Sequence, residues 1–201
     1  MSGKRAITEA DVRAAGPGGT LATPAGSVVT PAARDLARQL GVVLADGSPR
    51  TTHHAPRTVA LGCDHGGFPM KEALKPVLAQ LGWEVLDLGT HSTDAVDYPD
   101  FAVAVARAVA GGRAVRGIMV DGAGIGSAMA ANKVPGVRAA LCYDLTTAHN
   151  AREHNDANLL TLGGTLIGQR LAAEIVTAFL ATGFGGGRHQ GRVDKINALD
   201  R

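Results

Sequence analysis

Residues 58–199 alternate short apolar runs with longer amphipathic ones, and that alternation limits the chain to few architectures. Strands are expected at 58–63, 83–88, 116–120, 137–142 and 158–162. Helices are expected at 69–81, 98–110, 126–133, 145–153, 168–181 and 188–199, several of them stopped by glycine (Gly82, Gly111-Gly112). Five apolar strands separated by helices imply βαβ units, whose right-handed crossovers build a parallel sheet covered on both faces. The expected fold is α/β: a doubly wound, Rossmann-like three-layer sandwich with a five-stranded parallel sheet. No internal repeat is evident in the sequence.

Residues 1–57 do not follow this pattern. A short helix from Ile7 with Thr8 as cap is broken by Gly16-Pro17-Gly18-Gly19, and a second, capped by Thr30 with Pro31 at its first position, stops at Gly41. Residues 45–57, including His53-His54, read as a solvated linker. The division expected is an N-terminal extension at 1–57, too small for a robust core and suited to docking, and a main domain at 58–201.

Composition excludes several functions. A net charge of +2 gives no strong field for nucleic acid or a membrane surface, and 3% aromatics leave little for stacking bases. Two cysteines, Cys63 and Cys142, make no disulfide framework and suit a reducing cytoplasm. No apolar run is long enough to span a bilayer, and the first residues do not read as a signal peptide. No spacing of His, Cys and Asp fits a metal site, so no metal is expected.

Polar residues gather at the expected strand ends, where open α/β sheets bind ligands. Asp64 and His65 follow the first strand. Asp121 ends the third, before a turn of Gly122, Ala123, Gly124 and Gly126 that leads through Ser127 into a small-residue helix. Such a turn aims main-chain N–H groups at an anion. It follows the third strand and lacks a ribose-binding acid about 20 residues on, which argues against a nicotinamide cofactor. His154 beside Asn155 suits a general acid or base with an orienting amide. Arg188 and Arg192, four apart, share a helix face and suit a phosphate clamp.

Together the motifs 63–68, 97–99, 122–133, 152–158 and 186–193 resemble the family of type B ribose-5-phosphate isomerases and galactose-6-phosphate isomerase subunits, over about 70% of the chain. The resemblance implies cofactor-free interconversion of an aldose phosphate and its ketose through a cis-enediolate, in a homodimer or homotetramer. It places His154 and Asn155 near the sugar ring across a subunit interface, with His154 assisting ring opening. It gives Asp64 the sugar hydroxyls or the ring oxygen, and His65, Arg188 and Arg192 the phosphate. Gly122, Ala123, Gly124, Gly126 and Ser127 form the enediolate cradle.

The chain departs from that pattern in three places. The family's catalytic cysteine falls at Asp121, a neighbouring threonine at Ala123 and an arginine at Thr165; the glutamate some members use falls at Ser127. Asp121 is therefore the candidate base for a four- to six-carbon sugar phosphate. The alternative is a binding or assembly subunit that needs a paralogous partner to supply the base. The segment 20–44 resembles extensions on enzymes of bacterial microcompartments, which adds a shell protein as an expected partner and the compartment lumen as an expected location.

Overall fold

The computed structural model describes residues 6–24, 27–46 and 57–200. Of the linker read at 45–57, residues 45 and 46 end a strand paired with residues 22 and 23, and Arg57 begins another; the rest, with His53 and His54, lies outside the described residues. The chain divides into two compact units, Met1–His54 and Ala55–Arg201.

The first unit contains β1 (Ala6–Ile7), α1 (Glu9–Ala15), β2 (Thr20–Thr23), β3 (Val28–Val29), α2 (Pro31–Leu40) and β4 (Val43–Asp46). β1 pairs in parallel with β3, and β2 with β4. The unit is thus one β-α-β pattern used twice, contrary to the expectation of no repeat. Each copy enters its helix through an aliphatic–threonine step, Ile7-Thr8 and Val29-Thr30, and the Thr30 hydroxyl oxygen accepts from the Ala33 amide at 3.2 Å. The helices differ in length, seven residues against ten, so the period is blurred in the sequence. Val12, Ala33, Leu36, Ala37 and Val42 form a small core between them, where the sequence suggested that none would be robust.

The second unit contains β5 (Arg57–Cys63), α3 (Phe68–Gln80), β6 (Trp83–Asp87), α4 (Tyr98–Ala110), β7 (Arg116–Asp121), α5 (Ile125–Ala131), β8 (Ala139–Leu141), α6 (Leu145–Glu153), β9 (Leu159–Gly163), α7 (Gln169–Ala181), a 3-10 turn at Gly187–His189 and α8 (Gln190–Asn197). The five strands form one parallel sheet in the order β6-β5-β7-β9-β8. One face packs on Met70, Leu74 and Leu78 of α3 and on Ile175 and Phe179 of α7. The other packs on Ala102, Val105 and Ala106 of α4 and Ala131 of α5. This is the three-layer sandwich expected. The last helix is shorter than expected because the glycines at 185–187 feed a 3-10 turn first. Among the described residues, no helix is long and apolar enough to cross a membrane.

One charge cluster fastens α3 to β6. Lys71 is fully buried, and its ammonium donates to Asp87 at 2.9 Å and to the Thr90 carbonyl at 2.8 Å; Lys75 reaches Asp87 at 2.7 Å. Burial alone would raise the Asp87 carboxyl, but the two ammonium groups and the Gly89 amide outweigh it and hold it below the usual aspartate value. A carboxyl lowered in the folded state contributes stability above its unfolded pKa and loses it as pH falls through the folded one. Asp87→Asn should therefore lower the melting temperature at pH 7. The gap to wild type should begin to narrow below about pH 4, as the unfolded carboxyl takes up its proton, and close only once pH falls below the lowered folded-state value.

Candidate active site

The strand tips of the second unit form one group of functional residues. Asp64, at the end of β5, is buried; its Oδ1 accepts from the Gly67 amide at 2.9 Å and so tightens the turn into α3. Gly67 has no alternative there, since a Cβ would lie 2.1 Å from the Val120 carbonyl oxygen. His65 is exposed, with Nδ1 3.2 Å from both the amide nitrogen and the carbonyl oxygen of Val96, just before α4.

Asp121 ends β7 and is 4% exposed. Its Oδ1 accepts from the Gly124 amide, and its Oδ2 from both the Ser127 amide at 3.2 Å and the Ser127 hydroxyl. A carboxylate has about four acceptor positions, so one remains, on Oδ1. Gly124 sits at φ +76°, where a Cβ would also meet the Leu162 carbonyl carbon at 2.8 Å. The carbonyls of the turn are each engaged by a hydroxyl. That of Gly122 accepts from the Thr165 hydroxyl at 2.6 Å, that of Ala123 from the Tyr143 hydroxyl, and that of Gly124 from the Thr161 hydroxyl at 2.9 Å. Among the described residues none accepts from the Gly122 and Ala123 amides, and a Cβ on Gly122 would meet nothing within 4 Å. These amides are free to hold an oxyanion in the crevice.

The second group lies around the end of α6. Asn150 donates from Nδ2 to His154 Nδ1 at 2.8 Å and accepts at Oδ1 from Asn155 at 3.3 Å. That chain of bonds assigns the His154 proton to Nε2. The His189 ring stacks on His154 with centroids 4.2 Å apart and planes 7° from parallel. Loss of solvent around the ring, then repulsion from His154 and the Arg188 and Arg192 guanidiniums, hold the His189 imidazole below the ordinary histidine value. Asn150, His154, Asn155, Arg188, His189 and Arg192 line one polar cavity of about 430 Å³. Arg188, in the 3-10 turn, and Arg192, in α8, line the same cavity, with an Arg192 Nη1 donating to the Arg188 carbonyl at 3.1 Å.

These two groups are at opposite ends of the sheet. Asp121 pairs with Gly163 at the C-terminal edge, whereas α6 runs back from β8 so that His154 and Asn155 fall before Leu159, at the N-terminal edge. Four rises along β9 separate those edges, or ~13 Å before any side chain is counted.

The residue pattern signalled the members of each group; only the family resemblance, which set His154 across a subunit interface, implied their separation. Its reading also passed over Asn150, one helical turn before His154, and the stacked His189. The buried clamp beneath them went unread as well, in which Arg152 donates to Asp156 Oδ1 at 2.7 Å and to the Ala157 carbonyl at 2.6 Å. Neither cysteine replaces the family's base: burial pushes both the Cys63 and Cys142 thiols up to about 11. Among the described residues there is no cluster of three or more His, Cys, Asp or Glu able to hold a metal ion.

Residues 59–196 match the family model described as Ribose/Galactose Isomerase. The chain belongs to that family. It is 44% identical over 145 residues to ribose-5-phosphate isomerase B of Escherichia coli, covering 72% of this chain and 97% of that protein. It is 40% identical over 142 residues to galactose-6-phosphate isomerase subunit LacA of Streptococcus equi, covering 71% and 99%. The solved type B ribose 5-phosphate isomerase of Trypanosoma brucei superposes with a TM-score of 0.71 at 48% identity, covering 72% of this chain and 99% of that one. As a family member the chain is a sugar-phosphate aldose–ketose isomerase with a Rossmann-like domain.

Proposed function

We propose that the protein interconverts ribose 5-phosphate and ribulose 5-phosphate, in a site completed by two copies of the chain. The observation that carries this reading is the division of the candidate residues between the two ends of one sheet. A pentose phosphate cannot bridge Asp121 and His154 of the same copy, but a second copy can bring its His154 edge to the first copy's strand tips. β8 is an edge strand beside that His154 group, and a cavity of about 540 Å³ runs along it, lined by Leu141, Thr147 and Ile196 among others. A homodimer is the smallest assembly that meets the requirement, and a homotetramer contains it.

In this reading the Nε2–H of His154 of one copy hydrogen-bonds to the ring oxygen, and the O1 hydroxyl proton passes to that oxygen as its bond to C1 breaks and the sugar opens. Arg188 and Arg192 of that copy, with His65 of the other, hold the phosphate. Asp64 receives sugar hydroxyls. Asp121 takes the C2 proton of the aldose at its open Oδ1 position and returns it to C1, while the O2 proton moves to O1 to give the ketose. The Gly122 and Ala123 amides hold the enediolate oxygen between the two transfers. The N-terminal unit takes no part in the chemistry, and we assign it to attachment within a bacterial microcompartment, its small core being separate from the isomerase unit.

A second reading is favoured by one observation. Three of the four acceptor positions on Asp121 are occupied by its own turn, as in a helix cap. If that is its whole role, the chain binds the sugar phosphate and relies on a paralogous subunit for the base.

Incubation in D2O with ribose 5-phosphate, followed by NMR, separates the two. Deuterium at C1 or C2 together with ribulose 5-phosphate is the expected result. Saturable binding without exchange, tried also with four- and six-carbon phosphates, supports the binding subunit instead.

A further inference from the structure

We infer that Ser127 is a positioning residue for the proton transfer, acting through Asp121; the inference rests on the isomerase reading above. A serine at the third position of a helix ordinarily returns its hydroxyl to a carbonyl three or four residues back, here Gly124 or Ala123. Both acceptors are taken by side chains from other elements. The Tyr143 hydroxyl, from the β8–α6 connection, donates to the Ala123 carbonyl, and the Thr161 hydroxyl of β9 donates to the Gly124 carbonyl at 2.9 Å. The Ser127 hydroxyl is fully buried and turns instead to Asp121 Oδ2, which also receives the Ser127 amide at 3.2 Å. One residue thereby supplies both donors to one oxygen. The carboxylate plane is fixed, and the only open acceptor position is left on Oδ1.

The ionisable groups that face this turn are Asp64 on the β5–α3 connection, Tyr98 of α4, whose ring covers Gly126, and Tyr143. The facing residues of β9, Thr161 and Gly163, carry no charge. The Ser127 hydroxyl is thus the one side-chain donor to Asp121 among the described residues, and its loss leaves Oδ2 held by the Ser127 amide alone.

The test compares kcat, KM and Tm for wild type, Ser127→Ala and Ser127→Cys. The cysteine variant keeps the buried volume, while its thiol is a weak donor. The kcat of both variants is expected to fall roughly tenfold with KM unchanged. Tyr143→Phe, which releases the Ala123 carbonyl to compete for the Ser127 hydroxyl, should lower kcat by less. A purely structural Ser127 would change Tm and leave kcat within about twofold of wild type, and that result, in an active wild type, overturns the inference alone. A wild type with no turnover on any sugar phosphate overturns the isomerase reading and this inference together.

Discussion

Asp121→Asn is expected to lower kcat by about 10²- to 10⁴-fold, the range a positioned general base contributes. The effect should fall on kcat more than on KM, because the proposed site holds the phosphate elsewhere, with Arg188 and Arg192. Asparagine keeps one oxygen acceptor, yet its NH2 must face a donor whichever way the amide turns: the Gly124 amide on one side, or the amide and hydroxyl of Ser127 on the other. Some stability is therefore lost as well, and the kinetic comparison belongs below the melting range of both proteins. Steady-state assay with ribose 5-phosphate measures it. An Asp121→Asn enzyme with at least half of wild-type kcat would limit Asp121 to bracing the glycine turn.

The largest expected effect on stability is at Arg152, which is 2% exposed. Its guanidinium donates to Asp156 Oδ1, the Ala157 carbonyl and, at 3.2 Å, the Thr182 carbonyl, and it lies 5.7 Å from the centre of the Phe179 ring. Asp156 also receives Arg138, and its backbone is held at φ +45°, the one described non-glycine residue with positive φ. Removing this buried guanidinium costs about 3–5 kcal/mol, because the two carbonyls lose a donor and Asp156, 32% exposed, keeps only Arg138. Arg152→Ala should therefore lower Tm by roughly 10 °C in a chain of this length. The turn that carries His154 and Asn155 is fastened by this clamp, so ring opening should weaken even at temperatures where the variant is folded. Arg152→Lys keeps the charge but not the fork and should recover only part of the loss. Calorimetry that found Arg152→Ala within about 1 kcal/mol of wild type would show that the clamp adds little.

The sheet was legible because five apolar strands and their helices each carry a period that neighbouring residues enforce. The N-terminal repeat was not: only Ile7-Thr8 and Val29-Thr30 mark it, and helices of unequal length hide the rest. The site was legible as residue types, with Asp64, His65 and Asp121 falling at strand tips and His154 and Asn155 after α6. Direction was the missing information, for it is the return of α6 along the sheet that carries His154 to the edge opposite Asp121. Partners across turns were also hidden. Ser127 stands six residues from Asp121, a spacing that belongs to no helix or strand period, and Asn150 is recognisable only once His154 is known to cap α6. Lys71 and Arg152 look like surface charges until Asp87 and Asp156 are placed beside them.

The shared site is tested most directly by complementation. Asp121→Asn and His154→Asn chains, each inactive alone, are co-expressed with different tags, and the mixed oligomer is isolated and assayed with ribose 5-phosphate. In a two-fold dimer each mixed pair has one site carrying both substitutions and one carrying neither, so about half of the wild-type activity should return to the purified hetero-oligomer. A mixed oligomer as inactive as its two parents would contradict a site built from two copies.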